Sequence, residues 1–527
     1  MQFITFIAFT ALVALVSYIK SKGTNEKTSD GYFLGGRSLT AWVIAGSLLL
    51  TNLSTEQIVG LNGAAFKEGI LVMAWETLAA IAMVVTAIVL LPRYLKQGIT
   101  TVPQFLASRY DKTTKTLASA LFLSGYMIVL LPIVLYTGAL ALNSMFDVPG
   151  ILGVSKTVGL WITVWAIGII GSIYAIFGGL RAVAISDTIN AIGLLVGGLL
   201  IPVFGLLLIG NNSIITGMEV LLTEVPEKFN SIGDHKASVP FSTIFTGMML
   251  VQLFYWGTNQ AIIQRALGAK NLKEGQKGLM YAAAIKIIGP LIVVLPGIIA
   301  FYLFGDSLTN GDEAYPELVK KVLPPGWVGF FAATLFGAIL SSFNSALNSS
   351  VTLFGVDIYK SHIRKDASEA QMVKAGKKFG VVLAIVAMCV APLLLYAGSI
   401  FSYLQEANGI YSIPILTVIV VGYFTKRVPA IAAKIGIVSG SLLYILSQFI
   451  LKPYVVGEDN YPHFLHVMAI LFVLNALIML LIGKWYPRKE AFELKDVKKV
   501  DSKPWNMAYT FGAVICVIVV CIYIYFS

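Results

Sequence analysis

Charge is what this chain of 527 residues has least of: 12% are Asp, Glu, Lys or Arg, against about 25% in a soluble domain. With 57% hydrophobic residues, that scarcity excludes both a single soluble core and a disordered chain. Cysteine is nearly absent too: Cys389, Cys516 and Cys521 lie in apolar runs, so no disulfide framework is encoded. The four histidines, His235, His362, His463 and His466, fall in connections or at the ends of apolar runs. His463 and His466 stand one helical turn apart, but no third ligand accompanies them in the sequence. No phosphate loop, nucleophile elbow or His–Cys cluster is found, which argues against an enzyme. Strand-like alternation is missing, and the apolar runs are too long for barrel strands.

What is there is a series of apolar runs. Fourteen can be placed, from 3–19 to 505–526, each long enough to cross a bilayer as a helix. The expected class is an all-α polytopic membrane protein with about 14 transmembrane helices, in a plasma or inner membrane. The run from Phe3 to Ile19 reads as a retained helix: no positive residue precedes it, and Lys20 and Lys22 follow. The net charge of +11 is a matter of topology. Alternate connections, beginning with 20–40, hold 30 of the 38 Lys and Arg residues. By the positive-inside rule that face is cytoplasmic, and both termini lie outside. No nucleic-acid partner is implied.

Two runs are too polar in the middle for plain spans. In 41–61 the residues Thr51, Asn52, Ser54, Thr55, Glu56 and Gln57 cluster near the expected midplane. Ser54 followed by Gln57 has capping-box spacing, as if a new helix began inside the membrane. Such a break leaves carbonyls and amides without ladder partners, and lipid cannot satisfy them. In 241–263 the second half is similarly crowded, with Gln252, Tyr255, Trp256, Thr258, Asn259 and Gln260. These are the second and seventh runs, five apart, as an inverted repeat of five helices requires. The boundaries expected are a first peripheral helix and linker at 1–40, a first repeat at 41–210 and an outer loop at 211–240. A second repeat at 241–424 and peripheral helices at 425–527 complete the chain.

Charges inside the runs are costly and point to function. Lys286 sits in Ala-Ile-Lys-Ile-Ile, and Glu76, in Ala-Trp-Glu-Thr, is its candidate partner. The pair reads either as a structural ion pair or as part of a polar cavity for a hydroxyl-rich solute. In the run 326–358, Ala338 precedes Ser341 and Ser342 by three and four residues. Its carbonyl and both hydroxyls can therefore share one helical face. Neutral oxygens suit a hard cation, and the absence of a carboxylate among them favours a monovalent one. Hydroxyls and carbonyls carry protons poorly at neutral pH, which favours sodium.

Three motifs together resemble the solute:sodium symporter family, and its sodium–sugar branch in particular. They are Tyr174-Ala-Ile-Phe-Gly-Gly-Leu-Arg-Ala182 with Asp187, Asn52-Leu-Ser-Thr-Glu-Gln57, and Tyr255-Trp-Gly-Thr-Asn-Gln260 with Gln264-Arg265. The likeness runs from about Gly31 to Pro429 and implies the inverted-repeat fold of broken-helix symporters. It implies sodium held by carbonyls of Leu50, Leu53 and Ala338 and by the hydroxyls of Ser341 and Ser342. It implies sugar contacts from Asn52, Gln57, Glu76, Gln252, Lys286 and Gln405, with Tyr255 beneath the ring as an inner gate. Outer gates fall on Leu61, Trp75 and Phe401. Asp187, Asn344 and Ser345 match a second sodium position of some relatives, but an Asn there in place of a hydroxyl favours one sodium. Against the branch's galactose pattern, Gln252 replaces an Asn, Ala79 a Ser, Trp75 a Tyr and Leu61 a Met, so the sugar is left open.

The function implied is sodium-coupled import of a monosaccharide, a hexose such as glucose or galactose, by alternating access. Sodium is a transported co-substrate, and the sugar and the bilayer are the only partners required. The alternatives are a sodium symporter for an amino acid, organic acid or vitamin, and a carrier coupled to protons through Asp187 or Glu76.

Overall fold

The computed structural model describes every residue except 1, 22–27, 309–310, 397–399 and 458–459. The described chain is helical almost throughout, with one isolated parallel bridge, Leu39 to Ala269. Among the described residues, ten helices are long and apolar enough to cross a membrane, or eleven when Leu272–Ile288 and Pro290–Phe304, bent by 46°, form one span. The fourteen expected spans are therefore not reached. For two of the missing spans the cause is physical: the polar breaks at Asn52–Thr55 and Thr258–Asn259 cut the helices short. Ala41–Asn52 is apolar but too short, and the expected 241–263 span is divided into Phe241–Thr243, a π-helical turn, Met249–Gly257 and Gln260–Leu267, whereas the first helix, Gln2–Ser21, runs unbroken for 20 residues.

Eight helices position the site. They are α1 (Ala41–Asn52), α2 (Thr55–Glu68), α3 (Ala74–Val85), α4 (Lys156–Ile209), α5 (Met249–Gly257), α6 (Gln260–Leu267), α7 (Leu272–Ile288) and α8 (Pro325–Thr352). Helix α1 packs against α4, α7 and α8, and α3 packs against α5 and α7. The membrane-facing side is covered by exposed Ile, Leu and Val, as on Ile169, Ile170 and Ile173 of α4.

The first break lies between Asn52 and Thr55. The last ladder bond of α1 runs from the Leu53 amide to the Leu49 carbonyl, and those of α2 begin with the Gln57 and Ile58 amides on Ser54. The carbonyls of Leu50 and Leu53 are thus left outside the backbone ladder. Ser54 occupies the expected N-cap position, but the capping box does not form. Its hydroxyl has no hydrogen-bond partner, because the Gln57 side chain reaches across to Glu76 instead of folding back.

The second break lies at Thr258–Asn259, in the polar half of the expected seventh span. Asn259 caps α6: its side-chain oxygen accepts from the Ala261 amide at 3.0 Å and from the Tyr126 hydroxyl at 2.6 Å. Within α4 a third interruption occurs at Gly179, with φ 58° and ψ −176°. It separates two spans, Lys156–Ile176 and Gly179–Ile209. Tyr32 closes the end of the first by donating to the Ile176 carbonyl at 2.8 Å.

Candidate functional site

The two breaks and α8 meet around two polar groups. In the first, the Lys286 ammonium on α7 contacts both carboxylate oxygens of Glu76 on α3 at 2.7 Å. Lys286 and Glu76 are both fully buried. An unpaired charge there would be prohibitive, so each secures the other. Gln57 of α2 donates to Glu76 at 2.9 Å, and Lys286 also donates to the Asn52 side chain at the end of α1. Four of the expected sugar contacts, from four different helices, therefore form one connected cluster at the first break.

Gln252 and Tyr255 extend this cluster from α5. Gln252 donates to the Trp75 carbonyl at 2.9 Å and accepts from the Trp256 indole at 3.2 Å, so protein groups engage both ends of its amide. The aromatic ring under the ammonium is that of Trp256, 5.6 Å from Lys286 Nζ. Tyr255 packs edge-on against Trp256, with ring centres 5.2 Å apart. Among the described residues, no hydrogen bond joins Gln405 to the cluster. Gln405 is only half-buried. Of the expected outer gates, Leu61 and Trp75 are buried. The side chain of Phe401 lies outside what is described.

The second group joins α1 to α8. Ser342 donates to the Thr51 carbonyl at 2.8 Å, and the Thr51 hydroxyl lies 3.2 Å from those of both Ser341 and Ser345. Ala338 is fully buried on the same face. The serine face of α8 is thus seated on the end of α1 where Leu50 and Leu53 have left the ladder. Neutral oxygens dominate this seam, a donor set that suits a monovalent hard cation.

Asp187, the third residue type expected nearby, is already occupied. It accepts from Ser47 at 2.6 Å and faces the Arg265 guanidinium at 3.8 Å. Arg265 also donates to Ser47 at 3.0 Å and to Ser345. A fixed cation therefore stands between Asp187 and Ser345. Asn344 points elsewhere on α8; its side-chain oxygen is buried without a partner, close to Gly171 of α4. The three residues of the candidate second sodium position are not brought together as one set of ligands.

Sequence reasoning missed two members of this site. Thr51 is the hub between Ser341, Ser342 and Ser345, and its place one residue before Asn52 was the available signal. Trp256 was read only as part of a motif, and its indole both faces Lys286 and fixes Gln252.

The model of the sodium:solute symporter family matches residues 32–440. The chain belongs to this family. It is 48% identical over 507 residues to "Uncharacterized symporter YidK" of Escherichia coli (strain K12), covering 96% of this chain and 87% of that one. It is 34% identical over 477 residues to "Sodium/glucose cotransporter" of Vibrio parahaemolyticus, covering 85% of this chain and 86% of that one. Among solved structures, a Na+-coupled sialic acid symporter in a substrate-bound outward-open state superposes with a TM-score of 0.78. That match has 22% identity and covers 93% of this chain and 98% of that one, so it bears on the fold, which is all-α, multi-pass and of the inverted-repeat type. Membership makes this symporter a sodium-coupled carrier of a small polar solute, not an enzyme, working in a lipid bilayer.

Proposed function

We propose that this symporter imports a monosaccharide, a hexose such as glucose or galactose, with Na+. The observation that carries the reading is the Glu76–Lys286–Gln57–Asn52 cluster. It offers acid, ammonium and amides within one buried site, and sugar hydroxyls both donate and accept. A bound amino acid would instead require separate carboxylate and ammonium partners. Here the one buried ammonium and the one buried carboxylate of the cluster are committed to each other. Likeness to the Vibrio sodium/glucose cotransporter supports the sugar class.

In this reading Na+ sits between α1 and α8, on the carbonyls of Leu50, Leu53 and Ala338 and the hydroxyls of Ser341 and Ser342. Those two hydroxyls now bond to Thr51, so an arriving ion exchanges contacts already aimed at α1. Its occupancy biases the α1–α8 packing and with it the state open to solute. Entry into a negative interior contributes about 2.3 kcal/mol per 100 mV. The guanidinium beside Asp187 and Ser345 supports a single sodium. Residues 41–210 and 241–424 form the two inverted repeats, with both termini on the outer face. Leu61, Trp75 and Phe401 gate the outer path and Tyr255 the inner one, while Gln405 joins the cluster only when the sites close around solute.

The test is uptake by proteoliposomes of labelled hexoses, inositol, sialic acid and amino acids under imposed Na+ or H+ gradients. Expected is accumulation of a hexose that vanishes when choline replaces external Na+. Preferential accumulation of an amino acid, or uptake driven by H+ alone, would overturn the reading.

A further inference from the structure

An open cavity of about 1110 Å³ adjoins the solute site from the other side of α2. Its walls come from α2, Leu131–Phe146, the start of α4 and Gly311–Val322. Five carboxylates line it, Glu56, Asp147, Asp312, Glu313 and Glu317, against two ammonium groups, Lys156 and Lys320. Most of these acids have work to do. Glu317 pairs with Lys320 at 2.8 Å. Asp147 caps the short helix Val148–Leu152 through the Gly150 amide, and Asp312 has an electrostatic neighbour in Lys67.

Glu56 differs from the others. It lies in the first turn of α2, directly at the helix break, and is only 9% exposed. Its Oε2 atom is buried and has no hydrogen-bond partner, and neither have the hydroxyls of its neighbours Ser54 and Thr55. Among the described residues, no cation pairs with its carboxylate. A buried carboxylate without a partner is costly, and a proton, water or a mobile cation relieves it. The adjacent residue, Gln57, points the other way into the Glu76 cluster. Glu56 thus stands between an acidic cavity and the solute site, with ligand capacity to spare.

We infer that Glu56, with the Ser54 hydroxyl beside it, forms a monovalent-cation station at the inner end of this cavity. The cation is either Na+ on its way to the α1–α8 seam or the ammonium group of a cationic solute such as an amino sugar. A carboxylate and a hydroxyl are hard oxygen donors suited to both. The surrounding acids raise the local cation concentration. The site is separate from the serine seam, which has neutral donors and lies on the opposite side of the break. As a Na+ station it is independent of which solute is carried; as an ammonium station it rests on the proposed sugar reading.

The experiment titrates the purified full chain in nanodiscs at constant ionic strength, balanced with choline, and follows tryptophan fluorescence. Trp75 and Trp256 border the adjoining cluster and supply the signal. Na+ and methylammonium are the two probes. Two Na+ components are expected, of which Glu56→Gln removes or weakens one about tenfold while Glu56→Asp retains it in part. Ser342→Ala removes the other. Loss of the Ser342 component alone would then speak to the coupling site, and loss of the Glu56 component alone to the station. A Glu56-dependent response to Na+ assigns the station to the ion, and one to methylammonium only assigns it to a solute ammonium. Identical titrations of wild type, Glu56→Gln and Glu56→Asp with both probes would overturn the inference. Glu313→Gln, a change in the wall of the same cavity, is expected to leave both components within about twofold.

Discussion

In the proposed reading Ser342 is the residue on which coupling turns. Its hydroxyl is the shortest link between the serine face of α8 and the carbonyl end of α1, and alanine leaves the Thr51 carbonyl without its hydrogen-bond donor and an arriving ion one oxygen ligand short. We expect Ser342→Ala to lower sodium-driven uptake at least about tenfold, the equivalent of about 1.4 kcal/mol, with expression unchanged. Proteoliposome uptake against external Na+ measures this, and unaltered uptake with unaltered sodium affinity would refute it. Lys286 and Gln57 belong to the other group. Lys286→Ala strands Glu76 as a buried unpaired carboxylate, a change that typically costs about 3–5 kcal/mol. Gln57→Ala removes one hydrogen bond at about 0.5–1.5 kcal/mol. The smaller change is therefore the cleaner probe. Gln57→Ala should weaken solute binding several-fold while the sodium titration stays in place, and Lys286→Ala should do so more severely. Equal loss of solute and sodium binding in both variants would instead mark the cluster as a folding element.

Breaks distinguish the elements of this molecule, and each has a local cause. At Asn52–Thr55 and at Thr258–Asn259 the cause was legible: short polar residues that favour caps and turns over helix interiors lie in the middle of apolar runs. What the sequence could not show was which side chain closes each end. Asn259 caps its helix through its own oxygen, whereas Ser54 leaves its hydroxyl unused because Gln57 is drawn to Glu76. Tertiary partners decided that, and no spacing rule contains them. At Gly179 the backbone adopts φ 58°, ψ −176°, a region essentially restricted to glycine. An added Cβ would also meet Tyr32 at 3.3 Å. Gly179→Ala should cost about 1–3 kcal/mol and lower the melting temperature of the detergent-solubilised protein. Gly153 is an internal comparison, with φ 65° and ψ 32° and nothing within 4 Å of its Cβ position. Gly153→Ala should therefore be the milder change, at about 1–2 kcal/mol. The reverse order would show that the α4 kink is not held by this torsion.

For the molecule as a whole, composition was informative and counting was not. The scarcity of charge and the length of the apolar runs specified an all-helical membrane protein, yet among the described residues fourteen apolar runs became ten or eleven long spans. Two of the missing spans are the broken ones, where polar residues end a helix inside an apolar run. The site was legible in part for the same reason. Glu76 and Lys286 stood out because charge is rare in these runs, whereas Thr51 and Trp256 stood out only as members of the crowded breaks, and their roles follow from their neighbours. Charge asymmetry makes a further claim about the whole: that 30 of the 38 Lys and Arg residues lie on the cytoplasmic face. Two loop positions on opposite faces test it. Asp234 lies in the connection before Phe241 and Asp366 in the one after Ile363, and both are exposed. In whole cells, a membrane-impermeant maleimide should label Asp234→Cys and spare Asp366→Cys until the membrane is permeabilised. The native thiols Cys389, Cys516 and Cys521 lie within apolar helices, so the wild-type chain supplies the background. Labelling of Asp366→Cys in intact cells, with Asp234→Cys protected, would invert the topology. The acidic cavity at Glu56 would then open to the cytoplasm, and Na+ would reach its station from the inside.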